Sequence, residues 1–245
     1  MMQQGIIVQA RMGSTRLPGK VLKNLVGLPM LKHVMNRLRA VPSTKVILAT
    51  TTLPQDDVLE EFCTNENIPF YRGDSDNVLM RYLETAKRFE IDTICRITSD
   101  CPLIDSEVIT AMLAAYQSGR FDYYSNTIER TYPRGLDAEI FSRSFLQRAW
   151  DERVLTDQVE HVVYSFVQRK SADLKIGQHH FSGDFSDLRW TVDEPVDFQL
   201  IEQIYNELYP QSPFFLFREI LNLIEKKPEL TLINQHINQK AIPHA

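Results

Sequence analysis

Three cations fall within eleven residues near the amino terminus, in the run Ala10-Arg11-Met12-Gly13-Ser14-Thr15-Arg16-Leu17-Pro18-Gly19-Lys20. Arg11, Arg16 and Lys20 alternate with Gly13, Ser14 and Thr15, which offer backbone N–H groups and hydroxyls in a turn-forming stretch. That mixture suits a polyphosphate: N–H and O–H groups bond its oxygens while the cations offset its charge. The expected ligand is a nucleoside triphosphate. The stretch is not a Walker loop, because five residues separate Gly13 from Gly19-Lys20 and Val21 stands where a magnesium-binding Ser or Thr is required.

Two carboxylates complement the cations. Asp100, in Thr98-Ser99-Asp100-Cys101-Pro102, follows an apolar run, and Asp193 stands in Thr191-Val192-Asp193-Glu194-Pro195-Val196-Asp197. Two carboxylates beside one triphosphate can hold Mg²⁺, a hard cation that favours oxygen ligands and phosphate partners. Each also has a structural alternative. Asp193 could cap a helix starting near Pro195, as Asp105 is expected to cap its own. Asp76 and Arg81 either approach the base or ribose, or Asp76 caps the helix that follows it.

The elements that must carry these groups alternate through the first half. Gly5 to Ala10, Lys45 to Thr50, Ile68 to Tyr71 and Thr93 to Thr98 read as strands. Amphipathic helices lie between them, with Leu28, Leu31, Met35 and Leu38 on one face and Val78, Leu79, Tyr82, Leu83, Ala86 and Phe89 on another. This alternation predicts an α/β fold with a mainly parallel central sheet and helices on both sides. The loop after the first strand then lies at the carboxyl edge, where such sheets bind ligands. After Asp105 the pattern loosens. A helix is expected over residues 105–117, with short strands near 121–125, 136–142, 174–179 and 188–192, and helices closing the chain.

The 245 residues fit one domain, with a nucleotide-binding part over about 1–118 and an acceptor-binding and possible dimerisation part over about 119–245. A net charge of -5 argues against nucleic acid as the main partner. No apolar run approaches the roughly 18 residues that would span a bilayer. Cys63, Cys95 and Cys101 form no CxxC pair and are expected as free thiols, which makes the cytoplasm the expected location.

The string Ala10-Arg11, Ser14, Arg16-Leu17-Pro18 and Lys20 resembles the signature A-R-x-x-S-x-R-L-P-x-K of the cytidylyltransferases that make CMP-activated sugar acids. Within that group the chain is most similar to the SpsF-like spore-coat polysaccharide biosynthesis proteins. The resemblance continues through Arg72-Gly73-Asp74 to Arg81, Thr98 to Pro102, Tyr132 to Asp137, Glu160-His161 and Arg189 to Asp197. It implies a nucleotide-diphospho-sugar transferase (GT-A/Rossmann-like) sandwich. It also implies attack by a sugar or sugar-acid hydroxyl on the α-phosphate of CTP, with pyrophosphate leaving, in surface glycan biosynthesis.

By the same resemblance Arg11, Arg16 and Lys20 contact phosphates, and Ala10, Gly13, Ser14 and Ser99 complete the nucleotide site. Asp100 and Asp193 match the Asp of Q-G-D-x-P and the first Asp of V-D-T-x-x-D, both Mg²⁺ ligands in the family. Arg16, Lys20 and Asp100 are the expected catalytic residues. Ser99 and Glu194 depart from the Kdo-type glycine and threonine, so the acceptor is left open. Arg134, Asp137 and Glu139, on a Pro-Arg-Gly turn entering a strand, are acceptor candidates together with His161. The alternatives are a charged edge strand and a structural histidine. A homodimer is implied. Two rivals stand beside this reading: a glycosyltransferase using Asp74-Ser75-Asp76 as a metal-binding D-x-D element, and a non-catalytic nucleotide-sugar binding protein.

Overall fold

The computed structural model describes residues 3–154 and 161–238. The first strand, β1 (Gln4–Gln9), is followed by the short pair β2 (Asn24–Leu25) and β3 (Leu28–Pro29), then α1 (Met30–Arg39), β4 (Lys45–Thr51) and α2 (Asp57–Asn65). Next come β5 (Phe70–Gly73), α3 (Val78–Arg88), β6 (Thr93–Thr98) and α4 (Ser106–Gly119). The remainder comprises β7 (Tyr123–Ser125), β8 (Glu139–Ser142), α5 (Arg143–Asp151), α6 (Tyr164–Lys170), β9 (Ile176–Gln178), α7 (Pro195–Leu208), α8 (Phe217–Lys226) and α9 (Glu229–Leu232).

Side chains alternate across a strand, so an unbroken apolar run buries both faces. In β1, Ile6 and Val8 enter a core with α1, α2 and α4, whereas Ile7 enters a second core with α3, α5 and α6. The seven-stranded sheet has the order β5-β4-β1-β6-β8-β7-β9. Strands β5, β4, β1 and β6 are parallel neighbours, β8 runs antiparallel to β6 and β7, and β9 is parallel to β7. The expected mainly parallel sheet is therefore present, with one reversed strand. Among the described residues no helix is long and apolar enough to cross a membrane.

A third core holds the closing helices. Trp190, only 1% exposed, packs there with residues of α7, α8 and α9. Asp105 caps α4, its Oδ1 accepting from the N–H groups of Glu107 and Val108 at 2.8 and 3.0 Å. Its other oxygen accepts the Phe217 N–H at 2.6 Å and so fixes the start of α8. The Tyr205 hydroxyl on α7 donates to the Pro102 carbonyl at 2.6 Å, tying that helix to the loop after β6. One expected strand is absent from the sheet. Residues 188–192 instead bridge to Arg134 at Arg189 and then run beside Asp100, where the Val192 N–H donates to the Asp100 carbonyl at 2.8 Å. Leaving the sheet is what brings Asp193 across to the carboxyl edge.

Candidate active site

Because β1, β4 and β6 are parallel, Ala10, Thr51 and Asp100 emerge at one edge of the sheet. Asp56, fully buried, shapes the loop after β1. Its Oδ1 accepts the Met12 N–H at 2.6 Å while its other oxygen takes the Thr51 hydroxyl. Further along, the Ser14 hydroxyl accepts the Leu17 N–H at 3.3 Å. Gly19, at φ 66° in the left-handed region that suits a residue without Cβ, then turns the chain into a short 3-10 helix that buries Lys20.

Lys20 is the centre of the cluster. Its ammonium donates to Asp100 Oδ2 at 3.0 Å, Asp193 Oδ1 at 3.0 Å and the Val192 carbonyl at 2.6 Å. Asp193 also meets Arg16 at 3.1 Å and Arg189 at 3.0 Å, and Arg16 reaches Glu194 at 3.3 Å. Behind them Asp197, fully buried, accepts from Nε and Nη2 along one edge of the Arg189 guanidinium, each at 2.9 Å. It accepts the Asp193 and Glu194 N–H groups at 3.0 and 2.9 Å, and Asn234 at 2.8 Å. Asp193 is thus not the helix cap. Glu194 holds that position, which leaves the Asp193 side chain facing Lys20.

These contacts set the charges. Burial alone would lower the Lys20 pKa, but the carboxylates of Asp100 and Asp193 outweigh it and hold the pKa above its ordinary value. Burial would raise the Asp193 pKa, yet Lys20, Arg16 and Arg189 hold it below the ordinary carboxylate value. A depressed carboxyl contributes stability above its unfolded pKa and loses it as pH falls through the folded one. A raised lysine contributes stability below its unfolded pKa and loses it as pH rises through the folded one. Removing the ammonium in Lys20→Met lets the Asp193 pKa rise. Melting temperatures over roughly pH 3 to 7 are then expected to fall at a higher pH than in the unsubstituted protein. Superimposable acid limbs would contradict this coupling.

The cluster forms one wall of a cavity of about 660 Å³. Of the residues picked from sequence, Ala10, Arg11, Gly13, Ser14, Arg16, Lys20, Arg81, Ser99, Asp100, Arg134, Asp137, His161 and Asp193 line it together. Arg81 is buried, its guanidinium anchored on the Asp74 and Ser75 carbonyls. Asp137, also in the lining, accepts from both amino groups of the Arg130 guanidinium. The Arg134 guanidinium has no hydrogen bond or ion pair among the described residues.

Two candidates lie elsewhere. Asp76 is exposed and does not line the cavity. Nor does it cap α3, since Asn77 does so by accepting the Met80 N–H at 2.9 Å. Asp74 spends one oxygen on the N–H groups of Asp76 and Asn77 at 2.7 and 2.9 Å, so Asp74-Ser75-Asp76 closes a turn and offers no D-x-D element to the cavity. Glu139 is 9% exposed and also outside the lining. It sits opposite Arg96 in the β6–β8 register and pairs with that guanidinium, while its second oxygen accepts the Tyr123 hydroxyl at 2.6 Å. Glu160 falls outside the described residues.

Sequence reading passed over Gln9, Asp56, Arg96, Arg189 and Asp197. Arg96 left a signal, as the only charged residue in the otherwise apolar and hydroxylated run of β6. Gln9 and Asp56 needed partners distant in the chain, whereas Arg189 and Asp197 pair across only eight residues.

Residues 5–230 match the family model described as cytidylyltransferase. The chain belongs to the cytidylyltransferase family. The spore coat polysaccharide biosynthesis protein SpsF of Bacillus subtilis is 27% identical to this cytidylyltransferase over 230 residues, 91% of this chain and 94% of the relative. A 3-deoxy-manno-octulosonate cytidylyltransferase of Rhodopseudomonas palustris is 31% identical over 112 residues, 44% of this chain and 45% of the relative. The solved structure of a cytidylyltransferase from Leptospira borgpetersenii superposes with a TM-score of 0.89 at 32% identity, covering 100% of both chains. The fold is accordingly that of the nucleotidyltransferases, and this cytidylyltransferase is a nucleotidyltransferase with its cavity at the carboxyl edge of the sheet.

Proposed function

We propose that this cytidylyltransferase transfers CMP from CTP to a hydroxyl of a sugar acid, releasing pyrophosphate, with Mg²⁺ as cofactor and in the service of glycan biosynthesis. The observation that carries the proposal is the meeting of Asp100 and Asp193 on one cation, the Lys20 ammonium, beside the loop of Arg11, Gly13, Ser14 and Arg16. Mg²⁺ fits the donor set. Two carboxylates and the Val192 carbonyl converge there, all hard oxygens around a point that already favours positive charge. Asp100 and Asp193 would hold the ion, which when bound neutralises charge on the phosphates.

The chain's own groups do the rest. Arg11, Arg16 and Lys20 bind and orient the triphosphate. The acceptor hydroxyl oxygen forms its bond to the α-phosphorus as the bridge to the β-phosphate breaks; pyrophosphate leaves with the electron pair and the hydroxyl proton passes to solvent. Lys20 and Arg16 offset the charge that builds on the leaving group. Arg134, half-buried in the same cavity and without an ion-pair partner among the described residues, suits a carboxylate on the acceptor. That fits a sugar acid, and the R. palustris relative is named for one.

Thermal shift with CTP, UTP, GTP and ATP, each with and without Mg²⁺, tests the nucleotide. A ligand at a hundredfold excess over its Kd stabilises the folded state by about 2.7 kcal/mol. The expected result is a magnesium-enhanced shift with CTP alone, followed by pyrophosphate release when 3-deoxy-manno-octulosonate or N-acetylneuraminate is added. Equal shifts with all four triphosphates would overturn the choice of base. No shift with any would overturn the triphosphate site.

A further inference from the structure

Arg96 has no part in the chemistry described so far. It lies in the middle of β6 and its side chain is 15% exposed, yet it lines the cavity. Its guanidinium is fixed from two sides: Glu139 on β8 binds one amino group, and the other donates to Gln9 Oε1 on β1 at 3.2 Å. The Tyr123 hydroxyl locks Glu139 in turn, and the Tyr82 ring lies 5.9 Å from the guanidinium carbon. A buried ion pair stabilises a sheet little, because apolar residues of similar volume do as well or better. This arrangement therefore calls for a use that depends on holding a guanidinium still at the cavity.

Position and charge say what that use is. Side chains two apart on a strand share a face, so Arg96 lies on the side of Thr98, and the β1–β6 register puts Gln9 beside Thr98. Gln9, Arg96 and Thr98 form a floor of the cavity that the phosphate loop, Arg134, Asp137 and His161 also line. Glu139 already offsets the Arg96 charge, so no second anion is needed there. With its carbonyl oxygen taken by Arg96, the Gln9 amide has N–H groups to offer, and the guanidinium keeps N–H groups of its own.

We propose that Arg96 and Gln9 are specificity-determining residues that donate hydrogen bonds to a neutral oxygen, a hydroxyl or N-acyl carbonyl, of the acceptor sugar, and that Glu139 is the residue that positions them. This rests on the acceptor reading above and adds a second anchor to it: Arg134 takes the acceptor's charged group, and the floor takes an uncharged one.

The test measures pyrophosphate release by the full chain and by Arg96→Lys, Gln9→Leu and Glu139→Gln. Each substrate is varied in turn, with 3-deoxy-manno-octulosonate and N-acetylneuraminate as acceptors. Arg96→Lys and Gln9→Leu are expected to raise the acceptor KM about tenfold, as fits the loss of one or two hydrogen bonds, while the CTP KM and the CTP-induced thermal shift stay within about twofold. Glu139→Gln is expected to raise the acceptor KM alone by a smaller factor. Gln9→Leu leaves the buried ion pair intact and so separates recognition from folding. Parallel changes in both KM values, or no change in either, would overturn the assignment of Arg96 and Gln9. An unsubstituted enzyme that binds CTP but releases no pyrophosphate with either acid would instead overturn the acceptor reading beneath it.

Discussion

Asp193→Asn is expected to lower kcat by about two to three orders of magnitude, with a much smaller change in the KM for CTP. The carboxylate stands 3.0 Å from Lys20 and is drawn by Arg16 and Arg189 as well, so three cations hold its negative charge. Asparagine keeps its shape and one acceptor oxygen but gives up the charge that the proposed Mg²⁺ site requires. Losing an electrostatic interaction realised mainly in the transition state costs roughly a hundredfold to a thousandfold. Asp100→Asn should behave alike. Steady-state kinetics over a range of Mg²⁺ concentrations checks the prediction, and near-normal kcat in both variants at saturating Mg²⁺ would falsify the proposed metal site. Asp197→Asn offers a contrast. Asp197 is fully buried and organises Arg189, Asn234 and two backbone N–H groups, so its substitution should lower the melting temperature first.

The second large effect is expected at a residue without a side chain. Gly135 has φ 104°, a conformation costly for any residue with Cβ, and a Cβ there would lie 2.5 Å from the Trp190 carbonyl carbon and 2.6 Å from the Thr191 nitrogen. These are backbone atoms, and they cannot swing away. The two segments are laced together, the Arg134 N–H donating to the Leu188 carbonyl at 3.0 Å and the Trp190 N–H to the Arg134 carbonyl at 2.6 Å. Gly135→Ala must push them apart, at a cost of about 3 to 5 kcal/mol from overlap and backbone strain together. For a domain of this size that lowers the melting temperature by roughly 6 to 20 °C. Activity should fall too, since Thr191 is two residues from Asp193. A fall of under about 2 °C would show that the crossing is looser than its geometry implies.

Much of this site was legible in the amino-acid order because its parts are local. The loop from Ala10 to Lys20 declares itself as a polyphosphate-site candidate by residue type and spacing within eleven positions, and Asp100 by following an apolar run. The strands of the first half, β1 and β4 above all, were readable because burial on both faces requires unbroken apolar runs. The same local reasoning misled at Glu139. Its place with Asp137 on a turn entering a strand made it an acceptor candidate, but β8 begins only at Glu139, and its pairing register with β6 sets Arg96 opposite. Asp76 was misread by a single position, because Asp74 and Asn77 share the turn and cap that it was expected to supply.

What only the tertiary structure decided is the meeting of distant groups. Lys20 finds Asp100 and Asp193 across 80 and 173 residues, and Asp56 reaches the loop at Met12 across 44. No periodicity records such pairings, since they follow from sheet order, from the departure of residues 188–192 from the sheet, and from the packing of α7 and α8 against the loop after β6. Residue types set which chemistry is available, because charge and hydrogen-bonding capacity belong to each side chain alone. Whether a given carboxylate faces a phosphate site or is spent on a neighbouring guanidinium depends on what the fold sets within about 3 Å of it.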